Sequence, residues 1–227
     1  MISIQALIDE SIKKSQESRK DKPRSGKISP SGLGRCFRYQ YLYRKGEPPS
    51  NPIDERTLRV FKVGDLFHDF VQGFLPDYQS EVRCEQDDIL GYADVVLDDS
   101  VLDIKSQHSF AWHYMEKPGY NVYKEKLNNW LQVACYAEIL EKPKVGLVLI
   151  SKDDLCIAQY WSPTERFSHE LSEELTQVRF NWASQKEPPA KPRCYIDKKT
   201  GKSKECGFCL FQDKCKGEID ENGKKGV

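Results

Sequence analysis

The stretch GYADVVLDDSVLDIKS, residues 91–106, decides how the chain is read. Two short runs rich in Val, Leu and Ile flank Asp98-Asp99-Ser100, the composition of two strands joined by a tight turn. Asp94, Asp103 and Lys105 interrupt them. Strands disfavour Asp and Lys, and a buried charge must be paired or bound to a metal. In antiparallel neighbours joined by a short turn, Asp94 and Asp103 come side by side at the strand ends. One oxygen from each can then hold a divalent ion at about 2.1 Å. Lys105, two residues past Asp103, points to the same face, where its ammonium can hold a phosphate or an attacking water. The plainer alternative is that Asp103 and Lys105 only pair with each other.

Working outward, residues 3–20 have the pattern of a polar helix, followed by a loop at DKPRSGKISPSG and a helical stretch over 34–45 carrying Cys36. Pro48, Pro49 and Pro52 break it, and Asp54 offers an N-cap. Over 55–74 the apolar residues recur at helical spacing, which predicts a core helix. Strands are predicted near 79–85, 89–97 and 100–106, then a loop over 107–122 and a helix over 124–140. Strands near 145–151 and 155–161 follow. Ser162-Pro163-Thr164-Glu165 opens a last helix to about residue 186. The expected segments are an N-terminal helical piece, 1–50, a core, 51–187, and a cysteine-rich tail, 188–227. The fold class is α/β.

The chain has 227 residues, 31% of them charged, and a formal net charge of zero. Its longest apolar run, residues 145–150, is far too short for a membrane span, and MISIQALIDESIKK is amphipathic, unlike a signal segment. A cytoplasmic protein with no membrane partner is expected. Lys and Arg crowd residues 13–27 and 191–216, while Asp and Glu gather between Asp77 and Asp103. A basic groove around an acidic centre suits phosphates held against a divalent metal, although solvated tails give the same pattern.

Cys206, Cys209 and Cys215 form a CxxCx5C pattern, which in a reducing compartment points to a metal centre. A fourth thiolate is needed, and Cys36 and Cys194 compete for it. Cys84, Cys135 and Cys156 fall at core-like positions, where thiols are inert. Four thiolates suit zinc or an iron–sulfur cluster equally.

Four patterns occur in order. Gly64-Asp65-Leu66-Phe67-His68 resembles a GxxxH segment, Gly91-Tyr92-Ala93-Asp94 a GxxD segment, Asp103-Ile104-Lys105 a D-x-K signature, and Gln132 to Tyr136 a QxxxY helix face. With Cys36 before them and CxxCx5C after, residues 29–216 resemble the Cas-four exonucleases associated with CRISPR. They are also similar to the nuclease module of the AddB recombination subunit. Both are RecB-like branches of the PD-(D/E)XK nuclease superfamily.

The resemblance implies a PD-(D/E)XK nuclease fold, a central mixed β-sheet flanked by helices, with a helical iron–sulfur lobe built from both chain ends. It implies a metal-dependent DNA exonuclease acting on single-stranded ends, in CRISPR spacer acquisition or in viral or cellular recombination. Mg²⁺ or Mn²⁺ would be held by His68, Asp94, Asp103 and the Ile104 carbonyl. Lys105 would orient the attacking water, with Gln132 and Tyr136 completing the catalytic set. Cys36, Cys206, Cys209 and Cys215 would hold the cluster, [4Fe-4S] before [2Fe-2S]. Arg35, Arg38 and Tyr39 are expected along a channel for a single strand, and a Cas-one integrase is the expected protein partner. Asp103 stands where many members have Glu, which shortens the reach without removing a ligand. Two other readings compete, a catalytically weak module that binds DNA and the integrase, and a zinc-stapled structural protein.

Overall fold

The structure, a computed structural model, describes residues 3–20, 26–51, 53–196, 203–215 and 218, with only the backbone described at 16–20. Pro52, residues 21–25, most of the basic turn at 197–204 and Lys216 therefore lie outside the described residues.

Seven α-helices and five strands are found among the described residues: α1 (Ile4–Lys20), α2 (Phe37–Lys45), α3 (Glu55–Gln72), β1 (Gln79–Gln86), β2 (Ile89–Val96), β3 (Ser100–Gln107), α4 (Ser109–Met115), α5 (Val122–Glu125), α6 (Leu127–Ile139), β4 (Lys144–Ser151), β5 (Ile157–Pro163) and α7 (Ser168–Ala183). The strands form one mixed sheet in sequence order. Tight turns make the neighbours antiparallel except β3 and β4, whose parallel pairing needs the long connection that α4 to α6 supply.

The core lies on both faces. On one, Ala93, Val101, Trp130, Val133, Leu147 and Leu171 pack between the sheet and α6 and α7. On the other, Val71 of α3 meets Val95, Leu102, Ile104, Val148 and Ile150. A third, small cluster of Tyr41, Leu42 and Phe211 joins α2 to the tail.

Three expectations are corrected. α3 begins at the predicted cap, with Asp54 Oδ1 accepting from Thr57 N at 2.7 Å, but it is not a core helix. Phe61, Leu66 and Phe70 are exposed, and among its apolar residues only Val71 is fully buried, because the helix meets the sheet through its C-terminal half. The predicted loop at 107–122 contains α4, seven residues with none buried. Asp153 caps it from another loop, accepting from Ser109 N at 2.8 Å, a signal no local pattern carries. Cys156 is exposed in the loop before β5, because Asp154 binds its backbone and thiol there.

Candidate functional site

The two strands of the opening stretch pair at Val95–Leu102 and Val96–Val101 and then part. Asp94 and Asp103, the next positions along that register, stand at the opening. β2 is irregular on its other side as well. The β1–β2 ladder skips the pair Glu81 and Asp94, and Glu81 has a left-handed backbone, φ 51°. Ala93 packs toward α6 while Val95 packs toward α3, so the strand changes its facing at Asp94.

Side chains replace the missing ladder. Asp94 Oδ2 accepts from Ile104 N at 3.0 Å, and the Asp94 carbonyl accepts from Gln72 Nε2 of α3 at 3.0 Å. His68, one turn earlier on α3, brings Nδ1 to 3.7 Å from Asp94 Oδ2. In an extended strand a residue's N–H and C=O point to the same side. The Ile104 carbonyl therefore faces the opening with its amide.

Asp103 is 1% exposed. Its Oδ1 accepts from Lys105 Nζ at 2.6 Å, while Oδ2 is buried with no hydrogen-bond partner. Burial pushes the carboxyl up to about 7; the Lys105 cation holds it down by less than burial lifts it, and the Asp94 charge adds to the lift. Burial alone would lower the Lys105 ammonium, but the two carboxylates outweigh it and raise it.

Tyr136 is buried on α6, where burial first and then the charges of Asp103 and Asp94 raise its phenol. It reaches the site because residue 91 is glycine: a Cβ there would stand 2.7 Å from Tyr136 Cε1 and 2.9 Å from Pro30 Cδ. Gln132, one turn earlier, is also buried. His68, Asp94, Asp103, Lys105 and Tyr136 thus converge from α3, β2, β3 and α6. As they stand, no three His, Cys, Asp or Glu side chains among the described residues are close enough to hold a single ion.

At the other site, Cys36, Cys206, Cys209 and Cys215 line one pocket. Cys36 occupies the N-cap of α2, outside the helix in which it was expected, so its side chain faces the tail. Arg38 Nη1 lies 3.8 Å from Cys215 Sγ, and Phe211 N donates to Cys209 Sγ at 3.4 Å. Burial pushes Cys206 up to about 12 and Cys209 up to about 11. Cys194 does not line that pocket; its backbone N–H donates to Glu205 Oε2 at 3.2 Å.

Arg35, Arg38 and Tyr39 hold the lobe. Arg38 is 8% exposed, donates to the Pro188 carbonyl at 2.7 Å and makes a two-armed ion pair with Glu218 at 2.7 and 2.9 Å. The Arg35 guanidinium stacks 3.8 Å above the Tyr39 ring, which also packs on Phe211. The Arg38 guanidinium and the Tyr39 ring are engaged by residues that follow α7, while Arg35 Nε is buried without a hydrogen-bond partner.

Sequence reasoning missed two buried acids that fasten this lobe. Glu205 accepts from the backbone N–H of Cys36 at 2.6 Å, Arg193 at 2.7 Å and Cys194. Glu174 of α7 accepts from Gly34 N at 2.9 Å, Gln40 Nε2 at 2.9 Å and the Arg193 guanidinium at 2.7 Å. Nothing in sequence spacing marks either. Gln107 and Lys126 were missed too, although Gln107 continues the period of two that runs through Asp103 and Lys105.

No family model matches the chain, and no curated protein matches it. Solved structures do. The structure of SSO0001 is similar over 94% of this chain and 98% of that one, with a TM-score of 0.59 and 18% identity, a likeness of fold. An alkaline exonuclease, LHK-Exo from Laribacter hongkongensis, is similar over 71% of this chain and 90% of that one, with a TM-score of 0.49 and 12% identity. LHK-Exo in complex with dAMP gives 71% and 92%, with a TM-score of 0.43 and 13% identity.

Proposed function

We propose that the chain is a Mg²⁺- or Mn²⁺-dependent deoxyribonuclease that hydrolyses phosphodiester bonds at single-stranded DNA ends, with a [4Fe-4S] cluster in its cysteine lobe. One atom supports this above all. Asp103 Oδ2 is buried without a hydrogen-bond donor at the point where β2 and β3 part, and a buried carboxylate oxygen left so is stabilised by taking up a proton or by binding a cation, the two competing for the same place. His68, Asp94, Asp103 and the Ile104 carbonyl would hold the ion there. When bound, it supplies Lewis acidity and lowers the pKa of a coordinated water. Lys105, fixed on Asp103, holds the attacking water and offsets charge growing on the phosphate. Tyr136 and Gln132 wall the site on the α6 side and exclude bulk water from it.

The cysteine pocket fits a cluster by its donor set. Four thiols from the two chain ends line it, and N–H groups already meet two of the sulfurs. Thiols raised by burial stay protonated alone, and soft iron displaces those protons. Hydrolysis moves no electron, so the cluster's role is structural. The setting, spacer acquisition beside an integrase or DNA recombination, follows from the resemblance and not from the geometry.

The test is cleavage of end-labelled single-stranded DNA in Mn²⁺ by the wild type, Asp103→Asn and Lys105→Ala. Each substitution is expected to slow cleavage by about a thousandfold or more, while Asp103→Asn still shows a cooperative melting transition. Rates near wild type in both variants overturn the assignment.

A further inference from the structure

Lys126 stands at a break. The helix predicted over 124–140 is interrupted there, with Lys126 at φ −117° and ψ 27° between α5 and α6. The break does not come from proline or glycine. It turns the Lys126 side chain toward the end of β3, where Nζ donates to Gln107 Oε1 at 3.0 Å. Gln107 is itself fixed, its Nε2 lying 3.1 Å from Met115 Sδ of α4.

Asp103, Lys105 and Gln107 alternate onto one face of β3, so Lys126 is anchored one strand repeat, about 6.6 Å, past Lys105. Lys105 has Asp103 as its contact partner at 2.6 Å. Lys126 has only the neutral amide of Gln107, and no carboxylate among the described residues pairs with it. Burial and then the nearby Lys105 charge lower its ammonium, and the adjacent Glu125 charge offsets only part of that. Two ammonium groups share a face, and the outer one has no ion-pair partner within contact distance among the described residues.

We infer that Lys126 binds the substrate phosphate next to the scissile one, so that Lys105 and Lys126 together hold two successive phosphates of a single strand against the carboxylate pair. This rests on the nuclease reading and deepens it. Neighbouring phosphates along an extended strand are spaced much as the two anchors are. Lys126 is the outer of the pair and makes no contact with either carboxylate. It acts on binding and register, while Lys105 acts on the reacting group.

A purely structural Lys126 would brace the α5–α6 break and nothing else. The two roles separate in the salt dependence of DNA affinity, because each phosphate neutralised on a single strand adds about 0.7 to the log–log slope. Bracing the break adds nothing to it.

The experiment uses the full chain and a short single-stranded oligonucleotide, with binding followed by anisotropy without divalent ions and cleavage followed in Mn²⁺. Lys126→Met is expected to weaken binding about tenfold, to cut the salt slope by about 0.7, and to raise KM while kcat stays within about twofold. Lys126→Arg restores most of the affinity. In the wild type, a neutral methylphosphonate at the phosphate beside the scissile bond costs about the same tenfold, and it adds nothing to the loss in Lys126→Met. An unchanged salt slope in Lys126→Met, or two penalties that simply add, overturns the inference while leaving the nuclease reading intact. A wild type that binds the oligonucleotide and does not cleave it overturns the nuclease reading alone, and the binding arm still decides Lys126. A wild type that does not bind removes both.

Discussion

Asp103 and Glu205 are buried to nearly the same degree, 1% and 2% exposed, and the protein surrounds them in opposite ways. Both oxygens of Glu205 accept from backbone amides, those of Cys36, Arg193 and Cys194. Asp103 gives one oxygen to Lys105 and leaves the other without a donor, beside the Asp94 carboxylate. Burial alone does not reveal what a carboxylate is for; the count of its donors does. A saturated acid fastens chain to chain, and an unsaturated one at a parted strand pair is set to receive a ligand.

The largest effect expected from this contrast is all-or-none. The lobe is closed by hydrogen bonds from backbone amides to Glu205, which leaves its four pocket cysteines available to the proposed cluster. Cys36→Ser should abolish the visible absorbance of the purified protein, while Cys194→Ser, outside the pocket, should keep it. A colourless Cys194→Ser beside a coloured Cys36→Ser would mean that the pocket in the structure is not the cluster site.

Next in size is Glu205→Ala. Removing an acceptor shared by three amides, each bond contributing about 1 kcal/mol, should destabilise the protein by about 3 kcal/mol in chemical denaturation. It should also make the tail sensitive to protease even in metal-stripped protein. If stripped wild type and stripped Glu205→Ala are digested equally fast, the acid does not fasten the lobe.

The effect that comes in the smallest increments is on pH dependence. With Asp103 raised to about 7 against an ordinary value of 3.8, the metal-free folded protein holds a proton that the unfolded chain has released, over the window from about 4 to 7. The native state binds more protons there, so stability falls as pH rises through the window, by up to about 1.4 kcal/mol per pH unit. Denaturation midpoints at the two ends of the window, in chelator, should show this fall for wild type and not for Asp103→Asn. Parallel behaviour of the two would show that Asp103 Oδ2 has a partner after all.

Much of the sheet was legible in the sequence, because strand alternation and the Asp98-Asp99 turn are local signals. The grouping of Asp94, Asp103 and Lys105 follows from the same period of two. The parting of β2 from β3 was not legible, since it depends on Glu81 across the sheet and on Gln72 from α3. Helical spacing over 55–74 gave the existence of α3 but not its exposure, because periodicity marks a face without saying how much of it is covered. Arg35 and Arg38 were read as open cations for want of any local sign of Glu205, Glu187 or Glu218, acids at least 149 residues away. Long-range acid–base pairs of this kind leave no trace in spacing.

The Ile104 amide differs from its neighbours on β3. A ladder amide exchanges its hydrogen when a strand lifts away. This one is held by the Asp94 carboxylate, so its exchange rate and its nitrogen–proton resonance follow the charge on that carboxylate. The Asp94–Asp103 site therefore carries its own spectroscopic probe, one backbone group that reports what sits on Asp94 with no substrate added and no bond cut.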